Sequence, residues 1–136
     1  MTAASPESTT RFKSCRHLRV GMSLIFFGTD QRERLVTFYT DRVGMEPWLE
    51  QPGISILKHE NLLVGFSERT DAETCGVTTF VYDTEAEVDE MYQRLEDIAD
   101  EEPSRNDEYR VYQFFASDPE GRTIEFQSFL HPTDPV

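Results

Sequence analysis

Two periodicities alternate along this chain, and the alternation occurs twice. Met22 to Phe27 reads MSLIFF, a run of strand length too apolar to assign a solvent face. Asp30 and Glu33 follow at capping-box spacing, with Asp in place of the usual Ser or Thr, and predict a helix start. Leu35, Phe38, Tyr39 and Val43 have helical spacing, and Gly44 sits where a helix ends. Three extended runs come next: Met45 to Glu50, Ile54 to His59 and Leu62 to Ser67. Pro52-Gly53 and Glu60-Asn61 supply the turns between them. The order predicted is βαβββ.

After the polar stretch 69–76 the pattern restarts. Val77 to Tyr82 reads as a strand, and Thr84 with Glu87 is a second capping box. Val88, Met91, Tyr92, Leu95 and Ile98 form the second helical stripe. A short strand near 104–106, a longer one from Tyr109 to Ala116 and a last one from Thr123 complete a second βαβββ unit. Ser117-Asp118-Pro119-Glu120-Gly121 makes the turn of the final hairpin. Beyond it, Ile124, Phe126, Ser128 and Leu130 share one face, and Thr123, Glu125, Gln127 and Phe129 share the other. The expected organisation is a flexible tail 1–21, a first module 22–68, a linker 69–76, a second module 77–130 and a C-terminal tail 131–136. The fold class expected is α+β, with two βαβββ modules forming a curved, partly closed sheet around a cavity and the helices outside.

Charge narrows the partners. The chain has 136 residues, 26 of them acidic against 13 basic, for a net charge of −13. Phosphate contacts require a basic patch, so nucleic acid is not an expected partner. Lys13 and Lys58 are the only lysines. High acidity with so little Lys resembles proteins that work in concentrated salt. Arg11, Lys13, Arg16 and Arg19 make a short basic stretch in the tail, which can lie on the acidic body or do nothing. No apolar run reaches bilayer length and no secretion core is visible, so a cytoplasmic protein without a membrane partner is expected. Cys15 and Cys75 have neither zinc-ribbon nor redox spacing and are expected as free thiols.

Two segments carry a family resemblance. Phe38-Tyr39-Thr40-Asp41-Arg42-Val43-Gly44-Met45 looks like an FY-x-x-x-LG segment with Val for Leu. Phe115-Ala116-Ser117-Asp118-Pro119-Glu120-Gly121-Arg122-Thr123-Ile124-Glu125 looks like an F-x-x-DP-x-G-x-x-x-E segment. With the doubled βαβββ order, the chain resembles the vicinal oxygen chelate superfamily over about residues 22 to 130. That superfamily includes glyoxalase I, the bleomycin-resistance proteins, the extradiol dioxygenases and fosfomycin-resistance enzymes. One fold hosts several chemistries, so the resemblance specifies fold more than activity.

The resemblance implies four metal-ligand positions, on the first and last strands of each module, usually filled by His or Gln, Glu, His and Glu. Carried onto this chain, the first falls at Leu24, the second at Val64 or Gly65, the third at Gly76 or Val77 and the fourth at Glu125. Only Glu125 can coordinate, and a divalent metal needs three or four N/O donors. His17, His59 and His131 lie in the tail, at a hairpin tip and beyond the last strand, and are expected on the surface. The expectation is therefore no metal cofactor at this site. In place of a metal, Leu24, Trp48, Phe66, Tyr112, Phe114 and Phe129 are candidates to line a cavity with Glu125, although each is also a plausible core residue.

Glu125 has two readings. It is a cavity carboxylate in apolar surroundings with a raised pKa, serving as acid/base or as anchor for a cation, or it is a vestige paired with Arg110 or Arg122 or open to water. Three functions follow. The first is a metal-free protein of the bleomycin-resistance type that binds a small organic molecule. The second is a lyase, isomerase or dioxygenase with a displaced metal or with acid/base chemistry on Glu125. The third is a regulatory or structural protein with a filled cavity. The resemblance also implies a homodimer.

Overall fold

The structure is a computed structural model and describes residues 22–136. The expectations for the segment 1–21, for Cys15 and for His17 lie outside the described residues. The first half runs β1 (Leu24–Thr29), α1 (Arg32–Thr37), β2 (Glu46–Gln51), β3 (Ile54–His59) and β4 (Leu62–Glu68). The second runs β5 (Val77–Val81), α2 (Glu85–Leu95), β6 (Ser104–Asn106), β7 (Val111–Ser117) and β8 (Thr123–Phe129). Each half forms a four-stranded sheet, ordered β1-β4-β3-β2 and β5-β8-β7-β6. The two sheets do not close into a barrel. Within each sheet the first and last strands pair in parallel and the others antiparallel.

The parallel pairs require a crossover, and the helices supply it. α1 packs on β3 and β4, and α2 packs on β7 and β8. Their apolar stripes meet the sheets in one continuous core. Leu35, Tyr39, Val43 and Phe66 belong to it from the first half, and Phe80, Val88, Leu95, Phe114 and Phe126 from the second. Tyr39 stacks on Phe66 at 5.2 Å, and Phe114 and Phe80 stack on Phe126 at 5.0 and 5.3 Å.

The helix starts differ from one another. Thr84 caps α2 with a reciprocal capping box: its Oγ1 accepts from the Glu87 amide, and the Glu87 carboxylate accepts from the Thr84 amide. The box expected at Asp30 and Glu33 does not form. The cap position of α1 is Gln31 and carries no side-chain cap. The Gln31 amide donates to Thr29 Oγ1, and the Asp30 amide to Glu120 of the other module. After Thr37 the helix widens into a π-helical turn over Phe38–Val43, closed by Gly44 at φ 96°. A left-handed residue there suits Gly, and the amides of Gly44 and Met45 both return to the Tyr39 carbonyl.

The hairpin β7–β8 turns through Asp118 to Arg122 and docks on the corner between β1 and α1. Arg122 is buried. Its Nη1 donates to Asp118 Oδ2 at 3.2 Å and to Glu120 Oε1 at 2.6 Å, and its Nη2 donates to the Gly28 carbonyl at 2.8 Å. The guanidinium lies over the rings of Phe27 and Phe66, 5.5 and 5.7 Å from their centroids. Tyr39 and Thr29 donate their hydroxyls to Asp118 Oδ2 and Glu120 Oε2. The hairpin β3–β4 makes the matching contact in the other direction. His59 at its tip packs edge-on against Phe80 and Tyr82, where β5 leads into α2. His59 is therefore half-buried between the modules rather than on the surface, as its hairpin position had suggested.

Candidate functional site

Each sheet has a helix face and an open face, and the register decides which residues meet. On β8, Ile124, Phe126 and Ser128 are buried toward α2, so Thr123, Glu125, Gln127 and Phe129 point away from it. The neighbours of Glu125 across the strands are Thr79 on β5 and Phe115 on β7. Gln127 pairs with Gln113, and Phe129 with Val111. The open face of the second sheet is thus laid out in rows. A carboxylate is flanked by a hydroxyl and a phenyl ring, two amides lie side by side, and an apolar pair follows.

These rows floor a depression of about 500 Å³. Its polar groups are Glu125, Gln113, Gln127 and Asn106, and its rings are Phe115, Phe129 and Tyr109. Asn106 Oδ1 is engaged by the amides of Glu108 and Tyr109, which fixes the loop that carries the Tyr109 ring. Thr79 Oγ1 donates to Glu125 Oε1 at 2.8 Å. Among the described residues no other side chain donates to this carboxylate, and no Lys, Arg or His lines the depression.

The residues named from sequence divide between the two faces. Glu125 and Phe129 come together in the depression. Phe66 and Phe114 do not: both lie in the core, stacked beneath the helices. Tyr112 also points to the helix side, where its hydroxyl donates to Asp89 at 2.6 Å. That hydrogen bond, together with burial, pushes the Tyr112 hydroxyl up to about 12. The β7 residues on the open face are their sequence neighbours Val111, Gln113 and Phe115. Strand alternation anchored on the buried Phe114 singles these out, and Asn106, Tyr109 and Gln127 complete what sequence reasoning missed.

Trp48 and Leu24 belong to the first sheet. Trp48 lies at a register irregularity in β2 and lines a separate depression of about 360 Å³ with Met22, Lys58 and Leu63. Leu24 pairs with Leu63 on the same open face. Neither lines the Glu125 depression.

Of the environments expected for Glu125, the apolar cavity and the arginine partner are not found. Its surroundings are a hydroxyl, two amides and one ring rather than apolar. Neither suggested arginine pairs with it: Arg122 faces the opposite side of the sheet, bound to Asp118 and Glu120, and Arg110 forms no ion pair among the described residues.

The metal positions implied by the resemblance have a donor set that does not fit a metal. Leu24 and Val77 are aliphatic, and Val64 is in the core. Gly65 has the Phe26 ring lying directly over it, so close that even a Cβ there would clash with the ring. Among the described residues, no three His, Cys, Asp or Glu side chains come together in a way that would hold a metal ion.

No protein-family model matches the chain, and no curated protein matches it. Solved structures do. A glyoxalase/bleomycin resistance protein/dioxygenase from Nocardioides superposes with a TM-score of 0.68 at 16% identity, over 88% of this chain and 90% of that one. A lactoylglutathione lyase from Agrobacterium tumefaciens gives 0.65 at 23% identity, over 80% and 94%. A glyoxalase/bleomycin resistance protein/dioxygenase family enzyme from Burkholderia phytofirmans gives 0.69 at 18%, over 79% and 98%. The chain has the vicinal oxygen chelate fold.

Proposed function

We infer that this protein binds a small organic molecule on the open face of its second sheet and does so without a metal. The observation that carries this reading is the depression of about 500 Å³ around Glu125, walled by aromatic rings and floored by amides. Concave sites with rings for contact area and a few fixed polar groups are the usual form of a small-molecule site. The fold is shared with a protein described as a glyoxalase/bleomycin resistance protein/dioxygenase, a description that includes a resistance protein and so is compatible with a binding role. It is shared equally with a lactoylglutathione lyase, but the catalytic reading has one carboxylate to work with here.

A homodimer completes the proposal. Leu24, Phe26, Trp48, Leu49, Val77 and Val81 are large apolar side chains left exposed, and most of them lie on the open faces. A second copy laid on these faces would cover them and deepen the depression. The free, exposed Cys75 suits a reducing cytoplasm.

A ligand screen by thermal shift, run with and without a chelator, tests the metal-free reading. Organic ligands are expected to raise Tm equally in both buffers, and elemental analysis of the purified protein to find no stoichiometric metal. Binding that is lost on chelation, or a stoichiometric metal, would overturn it.

A further inference from the structure

The depression specifies the charge of its ligand. Among the described residues Glu125 is the one carboxylate that lines it; the other polar groups are amides and the Tyr109 hydroxyl. An anion placed there would face a carboxylate with no cation among the described residues to offset it, and would lose its hydration without compensation. The geometry favours the opposite charge. Thr79 occupies Oε1 of Glu125 and leaves the rest of the carboxylate facing the depression. Phe115 is the direct cross-strand partner of Glu125. The Cβ atoms of such a pair stand about 5 Å apart, so one cation can reach the carboxylate and the ring together. One row further on, the Gln113–Gln127 pair offers donors and acceptors to the edge of a planar group. Phe129 and Tyr109 border the far end.

We propose that the Glu125 site takes a flat aromatic cation, with an ammonium or amidinium nitrogen seated between Glu125 and Phe115 and the ring body lying over Gln113 and Gln127 toward Phe129. The proposal rests on the small-molecule reading above and narrows it to one ligand class.

Three isosteric probes separate the charge from the shape: 2-naphthamidine, 2-naphthamide and 2-naphthoate. Their affinities are measured by titration calorimetry in 1 M KCl, where the long-range field of the acidic chain is screened. The amidine is expected to bind about ten- to a hundredfold tighter than the amide, the range of a charge-assisted hydrogen bond, and the naphthoate weakest. Glu125→Gln is expected to reduce the amidine to the affinity of the amide while leaving the amide unchanged. Phe115→Leu is expected to lower the preference for the amidine by severalfold with Glu125 in place. Both variants are checked by their melting curves. Equal binding of all three probes, tightest binding of the naphthoate, or a preference that survives Glu125→Gln overturns the ligand class and leaves the small-molecule reading standing. No binding by any of the three overturns both.

Discussion

Arg122 is the residue whose role changes most between sequence and structure. It stands three residues from Glu125 and looked like a partner for it. In the fold it is buried on the opposite face, neutralising Asp118 and Glu120 while donating to the backbone of β1. The DP-x-G turn thus carries a latch between the modules. Removing one member of a buried ion pair leaves the others charged and unpaired, which costs about 3–5 kcal/mol. Arg122→Ala is expected to lose stability of that order in urea unfolding. Tyr39→Phe keeps the ring on Phe66 and removes one hydrogen bond to a carboxylate, so about 1.5–3 kcal/mol is expected. Equal stability of Arg122→Ala and the wild type would mean that the latch contributes nothing. Burial disfavours the charged form of Glu120, but hydrogen bonds from Thr29, Arg122 and Asp30 outweigh it and hold its carboxyl below the usual 4.5. Its contribution is therefore present above that pH and is lost as the pH falls further. The same parity that hides Arg122 explains the misplaced site residues. Aromatic identity marked Phe66, Tyr112 and Phe114, whereas one step of strand alternation selects Phe115 and Gln113 instead.

At the scale of elements, the doubled βαβββ order was legible because the helical stripes keep a clean period and the strand-length runs are bounded by turn chemistry. The start of α2 was also legible, since Thr84 and Glu87 cap each other locally. The start of α1 was not. The Asp30 amide just ahead of it is taken by Glu120, 90 residues away, and no local pattern reports a contact of that range. The two hairpins dock reciprocally, one through charge and the other through His59. Burial against Phe80 and Tyr82 lowers the His59 pKa below 6.5, with Glu60 opposing the shift in part. The folded state therefore resists the proton that the unfolded chain accepts. The contribution of His59 is whole above about pH 6.5 and declines as the pH falls through that value. His59→Phe keeps an aromatic ring at the contact and removes the titration. The Tm of the wild type is expected to drop relative to this variant between pH 8 and pH 5, measured by thermal melts in steps. A constant difference across that range would remove His59 from the acid response.

For the whole molecule the dominant quantity is the net charge of −13 on 136 residues. Acidic side chains crowd Asp83 to Glu108, where Arg94 and Arg105 are the only cations. Arg105 pairs with Glu85, and Arg42 from the first module reaches Asp97, but both pairs are exposed and such pairs are worth about 0–1 kcal/mol. They cannot offset repulsion spread over the whole surface. Salt can, because the screening length falls from about 10 Å at 0.1 M to about 3 Å at 1 M. The same repulsion opposes the dimer proposed above, since two like-charged copies must meet through their open faces. Both folding and pairing are therefore expected to strengthen with salt. Thermal melts between about 0.1 M and 3 M KCl should show Tm rising, most steeply at the low end where screening changes fastest. Light scattering over the same series should show monomer giving way to dimer. The contributions separate through Phe26→Glu, which places a charge on the open face of the first sheet away from the core. That variant should stay monomeric at every salt concentration and still gain Tm, through screening within one chain. A wild-type Tm that is flat across the series would mean that self-repulsion is not what limits this fold, and would remove adaptation to concentrated salt as the reason for its composition.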